Sequence, residues 1–185
     1  ILYGLYNSEK NQKIMIFLST CFAVDYFNIL LPELFKKFSM TNFSCSKLHS
    51  KIGQNKREKE YYNFKMEDNH KLNILLTTDL SARGIDIPDI DIILQFDPPK
   101  NEDSYIHKAG RTARVGYTGV SILFLTEEEI SFVNYMKMKF IYIEEMPYPF
   151  IGKEKDEEEV DKLNEYSILK CIKDVNTSDK WIYDK

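Results

Sequence analysis

Short, largely apolar runs recur along the first two thirds of the chain, each followed by a longer amphipathic stretch or a loop, and this alternation constrains the fold more than any other feature. Ile14-Met15-Ile16-Phe17-Leu18 leads into a helical pattern over residues 22–38, and Cys45-Ser46-Lys47-Leu48-His49 into a charged helix over residues 56–66. Residues 74–77 lead into a loop, Ile92-Ile93-Leu94-Gln95-Phe96 into a helix near residues 104–113, and residues 120–125 into a helical stretch over 127–140. These runs are strand-length, and most are too apolar to leave one face in water. The pattern predicts an α/β fold, an open parallel sheet with helices on both faces. In such sheets ligands bind in the crevice outside the carboxyl ends of the strands, so the segments just after each strand are where function is to be sought.

The chain opens on Ile1-Leu2-Tyr3-Gly4-Leu5, the pattern of a helix end with no strand before it, which places a first strand upstream. Pro147-Tyr148-Pro149 marks a boundary, giving one domain over residues 1–147 and an acidic, partly helical C-terminal extension over residues 148–185. Leu163, Ile168, Leu169 and Ile172 give that extension a partial apolar stripe suited to docking back on the domain. No apolar run approaches the roughly 20 residues that span a bilayer, and the start has no signal-type segment, so neither a membrane partner nor targeting is expected. Cys21, Cys45 and Cys171 are odd in number and widely spaced, which favours a reducing compartment over a disulfide framework. With 25 Lys+Arg against 29 Asp+Glu the net charge is −4. That balance excludes the broad basic face of a non-specific nucleic-acid binder, so any nucleic-acid site here is local and geometric.

Three segments that follow strands hold residues a merely structural loop does not need. Thr78-Asp79-Leu80-Ser81-Ala82-Arg83-Gly84-Ile85-Asp86-Ile87-Pro88 offers a hydroxyl at Thr78 for a phosphate oxygen, a close backbone approach at Gly84 and a carboxylate at Asp86 for a ribose hydroxyl. Alone, it is equally an ordinary turn with a helix cap at Asp79. In the segment running from Tyr105 to Gly116, Arg111 and Arg114 stand three apart, which on a helix places both guanidiniums on one face, suited to charge on a transferring phosphoryl group. Alone, it is a solvated basic helix. After His49, Gln54 and Arg57 stand one helical turn apart at a helix start, where free amides and an arginine would hold a backbone phosphate. Ser19-Thr20 after the first strand is a weaker candidate of the same kind. There is no G-x-x-x-x-G-K-[ST] phosphate loop and no D-E-A-D run, and His49, His70 and His107 have no metal-ligand spacing. The chain is therefore not expected to cradle a triphosphate by itself.

In this order, from about Lys13 to Met146, these segments resemble the second RecA-like lobe of DEAD-box ATP-dependent RNA helicases. Phe17-Leu18-Ser19-Thr20-Cys21, Asp97-Pro98-Pro99, Gly110-Arg111-Thr112-Ala113-Arg114 and Phe124-Leu125-Thr126 are most similar to a subgroup acting in large-ribosomal-subunit assembly. The resemblance implies a RecA-like sheet and ATP held between two lobes, with Mg2+ held by the first lobe, which this chain does not contain. It implies that Arg111 and Arg114 reach the γ-phosphate, that Gly84 and Asp86 line the nucleotide, and that His107 couples to the other lobe. Ser19, Thr20, Arg57, Thr78 and Gly84 would face the RNA sugar-phosphate backbone without sequence readout, with Gln54 supporting Arg57 and Arg83 bracing the loop. The implied partners are RNA, the first lobe of the same protein and pre-ribosomal proteins, in a monomer working in the nucleus or nucleolus.

Two positions depart from the family pattern. Lys108 stands where arginine is usual, so a planar fork becomes a point charge and an inter-lobe bridge is expected to weaken. Ser50 replaces a glycine after His49 and is expected to crowd the backbone approach to RNA. Two other readings stand beside this one: a catalytically inactive helicase-like module that docks RNA or protein, and a DNA-directed helicase of a related superfamily. Retention of Asp86, Arg111 and Arg114 argues against the first, and the wording of residues 82–88 against the second.

Overall fold

The computed structural model describes residues 1–8, 10–66, 69–82, 87, 90–113 and 118–145. Arg83, Gly84, Asp86 and Arg114, the boundary expected at 147 and the whole C-terminal extension lie outside the described residues. The elements are α1 (Leu2–Tyr6), β1 (Gln12–Phe17), α2 (Cys21–Lys37), β2 (Phe43–Leu48), α3 (Gln54–Met66), β3 (Leu72–Thr77), α4 (Asp79–Ala82), β4 (Ile92–Gln95), α5 (Glu102–Ala109), β5 (Val120–Leu123), a 3-10 turn (Glu127–Glu129) and α6 (Ser131–Met138). The strands form one sheet in the order β2-β3-β1-β4-β5, and every neighbouring pair is parallel. This is the open parallel α/β sheet that the alternating pattern anticipates, in keeping with the fold the resemblance implies.

Register decides where function can sit. Leu48 lies opposite Thr77, Thr77 opposite Phe17, Phe17 opposite Gln95 and Gln95 opposite Leu123, so all five strands end at one level. The chain leaves β1 toward β2 on one side of the sheet and leaves β4 toward β5 on the other. The crevice outside the ends of β1 and β4 is therefore the switch point of the topology.

Alternate residues of each strand pack on opposite faces. Ile14, Ile16, Ile74 and Leu76 meet Val24, Leu31 and Phe35 of α2 on one face, with α1 packed against the same cluster. Met15, Phe17, Leu75 and Ile93 meet Phe64 of α3 on the other. All six residues of β3 are buried, as the centre of a doubly covered sheet requires. Asn73 is tolerated there because its amide donates to the Phe64 carbonyl at 3.0 Å.

Two expectations are corrected. The helix expected over 104–113 ends at Ala109, with Gly110 N–H donating back to the Ile106 carbonyl at 2.8 Å. Thr112 instead makes a parallel bridge with Ile90, its hydroxyl donating to the Ile90 carbonyl, and Ala113 takes a positive φ of 52°. Pairing with the entry to β4 needs extended backbone and so stops the helix. Gly119 closes over the same point, because a Cβ there would lie 1.9 Å from the Thr112 hydroxyl. The helix expected over 127–140 divides into the 3-10 turn and α6, and Phe140 has left the helix with φ 62°.

Candidate functional site

The level strand ends bring residues far apart in sequence to one edge. Behind β1, the Ser19 amide donates to Asp97 Oδ2 at 2.8 Å, tying the ends of β1 and β4 together across the switch point. Thr20 caps α2, its hydroxyl oxygen accepting from Ala23 N–H at 3.0 Å, and both Ser19 and Thr20 are exposed. The Thr20 hydroxyl proton stays free to donate outward.

Behind β3, the Thr78 carbonyl accepts from the Ser81 and Ala82 amides and so starts the single turn of α4. Thr78 is buried, and its hydroxyl donates to Ser81 Oγ at 3.1 Å. The phosphate donor expected at this position is thus turned into the lobe. Arg57 in α3 is half-buried and one terminal nitrogen donates to the Ser81 carbonyl at 3.2 Å. One nitrogen fork of the guanidinium is used to anchor α3 on α4, and a five-donor group has others to offer. Gln54 donates to Glu58 Oε1 at 2.7 Å, one turn along α3.

Lys108 is buried, its ammonium 5.6 Å from the centre of the Phe17 ring. Burial lowers its pKa, against the opposing pull of the Asp79 and Asp97 carboxylates. Asp79 Oδ2 in turn accepts from Ser104 Oγ of α5 at 3.0 Å. The ammonium therefore sits near the ends of β1, β3 and β4, where Phe17, Asp79 and Asp97 lie.

Of the candidates expected to face the nucleotide or the other lobe, Arg111 and His107 lie among the described residues, and they are placed away from this edge. α5 begins beside Asp79 at the carboxyl edge and runs down to Thr112, which meets Ile90 at the entry to β4. His107 is exposed in its last turn, and Arg111 follows its end, half-buried. α5 stops at Ala109, so Arg111 does not lie on it, and Arg114 lies outside the described residues.

A buried polar cluster beside the edge was not singled out in the sequence. Asp25 of α2 accepts from Lys47 Nζ at 2.5 Å and lies 3.1 Å from His49 Nε2. Burial raises the Asp25 pKa, but hydrogen bonds from Lys47 and His49 more than reverse this, holding the carboxyl below its ordinary value. Lys47 on β2 and His49 just past its end are two apart in extended chain and so share one face, which was the available signal. Among the described residues no group of His, Cys, Asp and Glu is arranged to hold a metal, and no helix is long and apolar enough to cross a membrane.

The family model described as the helicase conserved C-terminal domain matches residues 1–116. The ATP-dependent RNA helicase HAS1 of Meyerozyma guilliermondii is 39% identical over 150 residues, covering 80% of this chain and 25% of the relative. The ATP-dependent rRNA helicase SPB4 of Saccharomyces cerevisiae is 36% identical over 148 residues, covering 79% of this chain and 24% of the relative. The chain thus spans about a quarter of the length of the curated relatives it matches. Domain 2 of the DEAD-box helicase Mss116p, solved bound to an RNA duplex, superposes with a TM-score of 0.66 at 32% identity, covering 89% of this chain and 61% of that one.

Proposed function

The chain belongs to the helicase conserved C-terminal domain family as a second RecA-like lobe of the DEAD-box kind, and from that premise we propose that it is the closing, RNA-gripping half of an ATP-dependent RNA helicase. The observation that carries the reading is the common level of the strand ends. It gathers Ser19, Thr20, the Thr78–Ser81 turn and Arg57 from three separate segments onto one edge, with no comparable basic face elsewhere required by the charge balance. Such an edge suits a sugar-phosphate backbone, whose contacts fix position without reading sequence.

In this proposal Ser19, Thr20 and Arg57 touch RNA directly. Thr78 acts through the turn it starts, with Arg83 and Gly84 completing the loop. Asp86, Arg111 and Arg114 face the nucleotide, and His107 meets the first lobe. ATP binds between the lobes, and Mg2+ belongs to the first. Arg111 fits a closing role because it follows a helix end rather than lying within one, so lobe movement can carry its guanidinium toward the γ-phosphate. What the residues supply is positive charge for the phosphoryl group as charge develops on it, while the first lobe supplies the remainder of the site. The name of one relative, the ATP-dependent rRNA helicase SPB4, supports work on ribosomal RNA, and with that reading go a nucleolar setting and pre-ribosomal proteins as partners.

The test is Arg111→Ala in the full two-lobe protein. Loss of an arginine finger costs about 10³-fold or more in kcat, and RNA affinity in the presence of a non-hydrolysable ATP analogue is expected to change little. Normal hydrolysis with weakened RNA binding would reverse the assignment, and a wild-type protein without RNA-stimulated hydrolysis would favour the docking-module reading.

A further inference from the structure

The RNA-facing edge carries a side-chain pair that backbone gripping does not use. Phe22, the second residue of α2, is 66% exposed, and the Lys51 ammonium stands 3.9 Å from the centre of its ring. Phe22 follows directly on Thr20 and Cys21, and Cys21 Sγ lies 3.6 Å from Ser50 Oγ, next to Lys51. The loops behind β1 and β2 therefore meet above the end of β3, which lies between those strands. The pair sits beside Ser19, Thr20 and the turn that holds Arg57.

An aromatic ring left largely in water forfeits the burial that would otherwise stabilise it, and here a cation is placed over its face at the same time. The electrostatics of the edge indicate the occupant. Neither α2 nor α3 has an acidic residue in its first turn, and Lys51, Lys56 and Arg57 all lie at the start of α3 or just before it. α5, which starts at the same edge beyond β4, opens instead with Glu102 and Asp103. Beside Phe22 the starts of α2 and α3 thus gather Lys51, Lys56 and Arg57 with no first-turn carboxylate, whereas α5 opens with two. Cationic groups interleaved with an exposed aromatic face suit single-stranded nucleic acid, because every base has a π-face and the stack is indifferent to sequence. A partner protein offering an acidic peptide would match the charge but would leave the ring without a flat partner.

We propose that Phe22 and Lys51 form a stacking step that holds one nucleobase of single-stranded RNA beside the backbone track. The ring would lie against the base while the Lys51 ammonium turns from the ring to the adjoining phosphate. This rests on the RNA-gripping reading above and extends it from backbone contact to a sequence-tolerant base contact. Ser50 lies in the contact that joins the two loops carrying the step.

The experiment measures the affinity of the 185-residue chain for a single-stranded RNA and for a fully abasic strand of equal length. It uses wild type, Phe22→Ala and Phe22→Trp, the last with Trp181→Phe so that its indole is the only one. Thermal melting confirms that each variant is folded. The wild type is expected to lose about tenfold in affinity through removal of the bases, the size of one base–aromatic stack. Phe22→Ala should bind the intact strand about tenfold more weakly than wild type and show no further loss on the abasic strand. Phe22→Trp should keep wild-type affinity and lose indole fluorescence when the intact strand binds. Equal loss on both strands in Phe22→Ala, unchanged affinity in that variant, or an unquenched indole would each overturn the stacking step. If Arg57→Ala abolishes binding while Phe22→Ala leaves it unchanged, the stacking step alone fails. If the wild type binds neither strand, the stacking step is overturned for this chain, while the RNA-gripping reading stands or falls separately on the two-lobe protein.

Discussion

Replacing Lys108 with methionine separates two opposing effects at the centre of the site. The ammonium is buried beside Phe17, and the carboxylates that face it, Asp79 and Asp97, are only half-buried. Each carboxylate has another donor, Ser104 Oγ at 3.0 Å for Asp79 and the Ser19 amide at 2.8 Å for Asp97. Removing one member of a deeply buried ion pair costs about 3–5 kcal/mol because the survivor is stranded. Here the survivors keep water and a hydrogen bond, so solvent screening reduces that loss to about 1 kcal/mol. Against it stands the relief of desolvation, which the lowered pKa identifies as the larger influence on Lys108. Lys108→Met is therefore expected to match the wild type or exceed it by about 1 kcal/mol, a rise in Tm of up to about 4 °C for a domain of this size. Because the folded pKa lies below the unfolded one, the unfolded chain binds more protons between the two values. Wild-type stability should accordingly climb as pH rises through that alkaline window, and the climb should be absent in Lys108→Met. Urea denaturation at stepped pH, with a double-mutant cycle to Asp97→Asn, measures both. A loss above about 2 kcal/mol, or strictly additive substitutions, would refute the balance described here.

Glu102 is held at a pKa of about 2, first by the hydrogen bond from Lys139 and then by that from Tyr135, a clasp between α5 and α6. Since that value lies below the unfolded one, the clasp contributes fully above about pH 5 and is lost as pH falls toward 2, so Glu102→Gln should flatten the acid side of a urea-stability profile and leave the slope of the profile above about pH 5 unchanged. On the two-lobe proposal the chain alone, given RNA and ATP, should release phosphate at the rate of a heat-denatured control, because half of the nucleotide site would belong to the other lobe; turnover clearly above that control would overturn the two-lobe account.

The sheet was legible because its strands are too apolar for any other setting, and β1 and β4 lie within a residue or two of where the pattern put them. β3 begins earlier than expected because Asn73 looks polar in sequence and hides its amide on the Phe64 carbonyl. The end of α5 was illegible for a different reason. Residues 110–113 keep helical spacing, and only the long-range bridge of Thr112 to Ile90 removes them from the helix. The partnerships at the edge were equally invisible: nothing local announces that Arg57 reaches the Ser81 carbonyl, that Asp97 takes the Ser19 amide, or that Lys108 turns inward. Those depend on strand order, which periodicity does not determine. Phe22 was read as the first position of a helix, and its exposure beside Lys51 emerges only when the loops behind β1 and β2 meet.

The central claim, that this edge grips RNA by its backbone, is tested most directly by Arg57→Ala in the two-lobe protein bound to a non-hydrolysable ATP analogue. Affinity is measured for purine-rich and pyrimidine-rich single strands across a salt series. The account predicts weakening by a similar factor for both sequences, with the slope of log affinity against log salt reduced by about 0.7–1, the share of a single phosphate contact. A loss confined to one sequence would show that a base edge is being read, and no loss at all would leave Arg57 as a strut between α3 and α4.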